Sequence, residues 1–356
     1  MFEKAHLEAK INMIERGFHT RQEILSQPWV WKDILEQMKM QAGDIRGLFQ
    51  PGAFHNIILT GCGSTYYLSL AAASAMQNLC RIPSRGMPAS EIWLYSNMEY
   101  LRSETTLLVA VSRSGETTET IRACQAFRSR KGRKILTLSC YPGSELSRLG
   151  DVNLVFPAAQ EKSVAQTRAF SSLYLALIGI AVLASGAESE LNELFGLPRL
   201  CSQVIESAQK PAQELGRNLE LERFFFLGSG FCYGLACELS LKMKEMSLSY
   251  SEPFHFMEFR HGPMSMINER SLVFGLLSSN NSHHELAVLE EMEKRGARTL
   301  MIGEKTSNLA FNSGMAAPIY NPLYLPAGQL LAYERALAKG LDPDKPHNLT
   351  SVVKLA

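Results

Sequence analysis

The chain has 356 residues, 46% of them hydrophobic, and carries 36 Lys and Arg against 35 Asp and Glu for a net charge of +1. That length suits about two domains with sizeable cores. The charge balance gives no support to a surface for nucleic acid or another polyanion.

Met1 to Lys10 mixes charges without an apolar core, so no signal peptide is expected there. Residues from about Phe2 to Gln50 have apolar positions at helical spacing and no strand signal. Gln27-Pro28 divides them before a second helix carrying Trp29, Trp31, Ile34, Leu35 and Met38. From His55 onward the pattern becomes strand then helix. Continuous apolar runs at Ile57–Thr60, Leu107–Val111, Lys134–Ser139 and Val152–Phe156 predict buried parallel strands. A long helix is expected over Ala169–Ala184, ended by Ser185-Gly186. Its apolar stretch, Leu173 to Ala184, is too short to span a bilayer and reads as a buried helix.

The pattern then restarts. Phe224–Gly230 echoes Ile57–Gly63, each an apolar strand running into Gly-x-Gly and a helix. Leu272–Ser279 falls where Leu107–Ser114 fell, and Thr299–Ile302 and Pro318–Tyr320 are further strand candidates. The expected fold is α/β, a tandem duplication of one unit, each copy a parallel sheet flanked by helices. The expected divisions are a helical arm over 1–48, a first domain over 49–190, a second over 200–345 and a tail over 346–356.

The candidate chemistry begins where the strand at Leu107–Val111 ends. Ser112, Ser114, Thr117 and Thr118 cluster around Gly115 ahead of a helix. Hydroxyls and open backbone N–H groups at a helix N-terminus suit a phosphate monoester held without a metal. A helix cap needs one such residue, and this turn offers four and an Arg. The second copy has Ser278-Ser279-Asn280-Asn281-Ser282 there, lacking the Gly and the Thr pair, so one phosphate site per chain is expected. Gly61-Cys62-Gly63-Ser64-Thr65 adds a neighbouring turn, which places Ser64 and Thr65 to face the same ligand. It lacks the third glycine of a dinucleotide fingerprint.

The acid–base candidates lie in the second half. Glu238, Lys242 and Glu245 are spaced by four and three and share a helix face. Apolar residues occupy most other angles of that helix, so burial is expected, and a buried carboxylate is a candidate acid or base. Glu258-Phe259-Arg260-His261-Gly262-Pro263 supplies an imidazole able to shuttle a proton at neutral pH. The seven cysteines are odd in number with no Cys-x-x-Cys pair, and the eight histidines are scattered. Reduced thiols in a cytoplasmic protein are expected, with no metal site.

The Ser-x-Ser-Gly-Glu-Thr turn, the Gly228-Ser229-Gly230 turn, Leu241-Lys242-Met243-Lys244-Glu245 and Glu258–Pro263 together resemble the sugar isomerase (SIS) family. The match is closest to the isomerase half of glucosamine-6-phosphate synthase, from about Gln22 to the tail Gly340–Leu349. Met1 leads straight into the helical arm, so no glutaminase domain and no ammonia release from glutamine are expected. The resemblance implies phosphate contacts from Thr65, Ser112, Arg113, Ser114 and Thr117. It implies C1/C2 proton transfer by Glu245 and ring opening by His261 reaching from a second subunit, hence a homodimer or larger homo-oligomer. Lys242 and Glu238 match further active-site positions. Glu161, Val164 and Gln166 match the loop lining the sugar, with Gln166 in place of a serine. Ser351 stands where that family carries its Schiff-base lysine.

These features lead to an isomerase acting on a hexose or amino-hexose 6-phosphate, with no metal or redox cofactor required. An amino-sugar-phosphate deaminase and a deglycase of sugar-phosphate–amine adducts stay open. The reading outside enzymology is a sugar-phosphate sensor, for which the N-terminal arm is too short to hold a helix-turn-helix and a linker. No nucleic-acid or membrane partner is expected.

Overall fold

The computed structural model describes residues 16–95, 104–129, 134–353 and 355, so the first fifteen residues of the expected arm lie outside it. Three helices open the described chain: α1 (Phe18–Leu25), α2 (Gln27–Met40) and α3 (Ala42–Leu48). Pro28 stands in the first turn of α2, where its missing N–H is no loss. Along α2, Val30, Trp31, Ile34, Leu35 and Met38 are buried at helical spacing, whereas Trp29 is exposed.

The first sheet is built from β1 (Asn56–Gly61), β2 (Ser84–Pro88), β3 (Thr106–Val111), β4 (Lys134–Ser139) and β5 (Val152–Val155), joined through α4 (Ser64–Cys80), α5 (Ala89–Leu94) and α6 (Thr118–Arg128). All pairs are parallel, in the order β2-β1-β3-β4-β5. Then α7 (Arg168–Ser185), α8 (Glu188–Leu194) and α9 (Leu197–Gly216) lead to the second sheet. It comprises β6 (Arg223–Gly228), β7 (Tyr250–Phe254), β8 (Ser271–Leu277), β9 (Arg298–Gly303) and β10 (Leu309–Ala310), with α10 (Tyr233–Ser247), α11 (Phe256–Phe259), α12 (Ser282–Lys294) and the closing α13 (Leu325–Ala338). Its order, β10-β9-β8-β6-β7, repeats that of the first sheet strand for strand, again all parallel.

Pro318–Tyr320 is a turn rather than a strand. Ile319 N–H donates to Ala316 and Asn321 N–H to Pro318, bonds that fold the segment back on itself, and a proline there offers no ladder donor. The fifth position is taken instead by the two-residue β10, and the edge strands β2 and β7 had no counterpart in the sequence expectations.

Both faces of each sheet are covered, which is why the central strands read as unbroken apolar runs. Ile57, Leu59, Leu107 and Val109 join the large core that also holds α2, α4, α7, α10 and α13. Ile58, Leu108 and Ala110 point the other way, against Phe127 of α6. In the second sheet Phe225 and Val273 likewise face away, against Leu289 and Met292 of α12. The large core spans both halves. α7 is long and apolar enough to cross a membrane, but 83% of it is buried inside the protein, as the core helix of such a sandwich requires. At the seam, α4 and α10 approach backbone to backbone: a Cβ on Gly234 would sit 2.4 Å from Ala71 N and 2.7 Å from Tyr67 O.

Candidate active site

Register decides where the two hydroxyl-rich turns meet. β1 and β3 are adjacent, with Thr60 opposite Ala110, so both turns leave the sheet side by side at its strand-order switch point. In the turn after β3, the Ser112 hydroxyl lies 3.0 Å from that of Thr117 and 3.4 Å from that of Ser114. Ser112 Oγ accepts from Gly115 N–H at 3.1 Å and Ser114 Oγ from Glu116 N–H at 3.1 Å. Gly115 has φ +69°, and a Cβ there would sit 2.1 Å from Ser144 Oγ, so both conformation and space demand glycine. α6 starts at once behind this cluster, its dipole aimed into it.

The neighbouring turn divides its labour. The Thr65 hydroxyl closes the turn, donating to Cys62 C=O and accepting from Cys62 N–H, each at 2.9 Å. Ser64 Oγ accepts from Lys242 Nζ at 3.1 Å, across the seam. This bond joins the hydroxyl turns of the first half to the Glu238–Lys242–Glu245 face of α10 in the second.

Lys242 and Glu238 are wholly buried on α10, as the sequence led us to expect, and Glu245 keeps 20% of its side chain exposed. Lys242 Nζ is hydrogen-bonded to Glu245 Oε2 and lies 3.4 Å from Glu238 Oε1. Burial pushes the Glu238 carboxyl up to about 8, against the pull of Lys242 and with the push of Glu245. Burial alone would lower the Lys242 ammonium, but the two carboxylates carry it above its ordinary value, and Arg113 is near enough to oppose them. The wholly buried Glu238 is driven towards its protonated form, whereas Glu245 keeps part of its side chain open to solvent.

Arg113 serves as a brace. Its guanidinium pairs with Glu161 Oε2 at 3.2 Å and donates to Ser163 C=O at 3.2 Å and Ser351 C=O at 3.3 Å. Glu161 in turn accepts from Thr167 N–H and hydroxyl at 2.8 and 2.9 Å. Val164 N–H donates to Asp344 C=O, and Gln166 has a buried Oε1 without a partner among the described residues. The tail thus lies over the hydroxyl turn after β3, with Leu355 N–H donating to the Thr118 hydroxyl at 3.2 Å. Arg113, Ser114, Tyr141, Glu161 and Ser351 line a cavity of about 490 Å³ here. His261 is not among the residues that line this cavity. It is exposed beyond α11, and among the described residues its ring has no hydrogen-bond or ion-pair partner.

Sequence reading missed Glu23. Its carboxylate, 3% exposed on α1, accepts from Lys162 N–H, Ser163 N–H and the Ser163 hydroxyl, holding the Glu161–Ser163 loop from below. Burial pushes it up to about 7, with Glu161 adding to the rise. A carboxyl that holds its proton more tightly when folded contributes stability below its unfolded pKa, and that contribution is lost as pH rises to the folded value. Stability should therefore fall between about pH 4.5 and 7 by about 3 kcal/mol from this group. Thermal melts of Glu23→Gln across that window should be flatter than the wild type; parallel curves would show that Glu23 does not titrate there.

The same stretches match known proteins. The chain belongs to the SIS domain family, whose model matches residues 54–184 and 220–318, one segment in each half. It is 32% identical over 349 residues to an isomerizing glutamine–fructose-6-phosphate aminotransferase of Pyrobaculum aerophilum, across 90% of this chain and 56% of that protein. The chain thus spans a little over half the length of that curated relative. Among solved structures, a glucosamine-6-phosphate deaminase of Thermotoga maritima superposes with TM-score 0.76 at 27% identity, covering 90% of this chain and 99% of that one. A tagatose-6-phosphate ketose/aldose isomerase of Escherichia coli shares the fold at TM-score 0.81 and 20% identity, with 94% and 96% covered.

Proposed function

We propose that the chain is a sugar-phosphate isomerase that moves a proton between C1 and C2 of a hexose or amino-hexose 6-phosphate. The observation that carries this reading is the Lys242–Ser64 bond, which ties the Glu238–Lys242–Glu245 triad to the hydroxyl turns. In this reading the phosphate sits on Ser112, Ser114, Thr117 and the N-terminus of α6. Glu245 takes the proton from C2 of the open-chain aldose while O1 gains one, which gives the enediol; Glu245 then returns the proton to C1 and the C2 hydroxyl releases its own, replacing the one that O1 took, which gives the ketose. Lys242 holds Glu245 in place through their hydrogen bond, and Glu238, driven towards its protonated form by burial, spares the cluster a further negative charge. His261, exposed and with no partner for its ring among the described residues, supports a homodimer in which it opens the sugar ring of the partner's site.

A second reading, deamination, is favoured by the 27% identity to the Thermotoga maritima deaminase and by Ser351 in the tail. The same proton transfer on a 2-amino aldose gives an imine at C2, and water then releases ammonia and the ketose.

A coupled assay on a panel of hexose and hexosamine 6-phosphates, with ammonia measured in parallel, separates these readings. Ketose without ammonia supports isomerisation, ammonia supports deamination, and tight binding without turnover supports a sensor. Mixing inactive Glu245→Gln with inactive His261→Ala should restore part of the activity after subunit exchange. No recovery after verified exchange would place each site within one chain.

The phosphate assignment has its own test. Ser114→Ala removes one charge-assisted hydrogen bond, worth about 1.5–3 kcal/mol of sugar-phosphate affinity. Calorimetry should register that loss with the fold intact. Unchanged affinity in both Ser112→Ala and Ser114→Ala would overturn the assignment.

A further inference from the structure

The second sheet has a switch point of its own, between β6 and β8, where Gly228 lies opposite Leu276. The turns leaving these strands, Ser229-Gly230 and Ser278–Asn281, flank a cavity of about 440 Å³. The corresponding crevice of the first sheet is the phosphate turn. The sequence suggested that phosphate binding is lost in the second half, and the geometry gives a physical reason. Ser278, which follows β8 as Ser112 follows β3, gives both donors to the chain itself. Its N–H donates to Glu285 Oε2 at 2.6 Å and its hydroxyl to Glu285 Oε1 at 3.0 Å. Glu285 is 3% exposed, in the first turn of α12. A built-in carboxylate therefore takes the donors that an incoming anion would use, and its charge opposes a second anion.

The crevice has nevertheless stayed open. Phe231, Phe256 and Met257 give it apolar lining, and Asn280, Asn281 and His284 add amide and imidazole groups. Apolar lining with a few hydrogen-bonding groups is the make-up of a small-molecule site. The ring of a polyhydroxylated ligand can lie on the apolar side chains while its hydroxyls meet the amides, and an amino group on it would be attracted to the carboxylate. The cavity also stands apart from the acid–base cluster. Its lining reaches Phe231, just before α10, and includes none of Glu238, Lys242 and Glu245.

We propose that this cavity is a second ligand site, for a sugar or amino sugar that carries no phosphate.

Saturation-transfer NMR with glucosamine as the probe tests this, in the presence of glucose 6-phosphate to fill the first site. Glucosamine should still receive saturation from the wild-type protein, and inorganic phosphate should not displace it. Met257→Trp, which fills the crevice from its rim, should weaken glucosamine binding by about tenfold or more while leaving glucose 6-phosphate binding unchanged. Glu285→Ala frees the Ser278 donors, and calorimetry should then count one more inorganic phosphate per chain than in the wild type. The proposal is overturned if glucosamine binds only where glucose 6-phosphate displaces it, if it does not bind at all, or if Met257→Trp binds it as well as the wild type does. It also fails if wild-type protein already binds phosphate in this crevice.

Discussion

Glu245→Gln should lose turnover by about 10²–10⁴-fold, the range supplied by one positioned general base, while sugar-phosphate affinity stays within a few-fold. The separation follows from where each task is carried out. In the proposed reading phosphate affinity resides in the hydroxyl turn of the first half, whereas Glu245 stands on α10 of the second, with 20% of its side chain open. Glutamine keeps the size and the bond from Lys242 but cannot accept a proton from carbon. Parallel losses of binding and turnover would mean that Glu245 holds the ligand rather than acting on it. An unaffected rate would make it a structural partner of Lys242, with Glu238 and Glu258 the next bases to test.

Lys242→Met should be the most damaging single change for stability. Its ammonium is wholly buried among Glu238, Glu245 and Ser64, and removing one partner of a buried pair costs about 3–5 kcal/mol. The loss should also depend on pH in a defined sense. Glu238 is already raised to about 8 with the lysine in place. Without the lysine it rises further, so the folded state clings to a proton that the unfolded state gives up, and the deficit against wild type grows as pH increases above neutrality. Glu238→Gln in the same background should abolish that growth. Denaturant unfolding at several pH values measures both effects. A small, pH-independent deficit would mean that water already solvates the cluster.

What was legible in the sequence followed from burial. Strands covered on both faces, such as β3 and β8, announce themselves as unbroken apolar runs, and α7 as a helix apolar all round. The edge strands β2 and β7 do not, because one side of each is open and Pro88 and Pro253 interrupt their pattern. Pro318–Tyr320 misled for the converse reason: its apolar residues are buried in a turn packed into the core, where hydrophobicity says nothing about period. Within the site, residues adjacent in sequence were legible as clusters, the Ser112–Thr117 turn and the α10 stripe above all. Links between distant segments were not. Nothing near Glu23 signals that it holds a loop some 140 residues away, and nothing near Arg113 signals that its guanidinium binds Glu161 and the tail. The Ser64–Lys242 bond exists only because the close approach at Gly234 lets α4 and α10 lie against each other.

The central claim is a proton transfer at carbon, and solvent isotope exchange observes that step directly. The wild-type protein would be incubated in deuterium oxide with the hexose or hexosamine 6-phosphate that the panel identifies, and the sugar read by NMR. Deuterium should enter C1 or C2 with the wild type and not with Glu245→Gln. A wild-type protein that binds the sugar phosphate yet leaves both carbons unlabelled, or a Glu245→Gln variant that labels them at a comparable rate, would contradict the account.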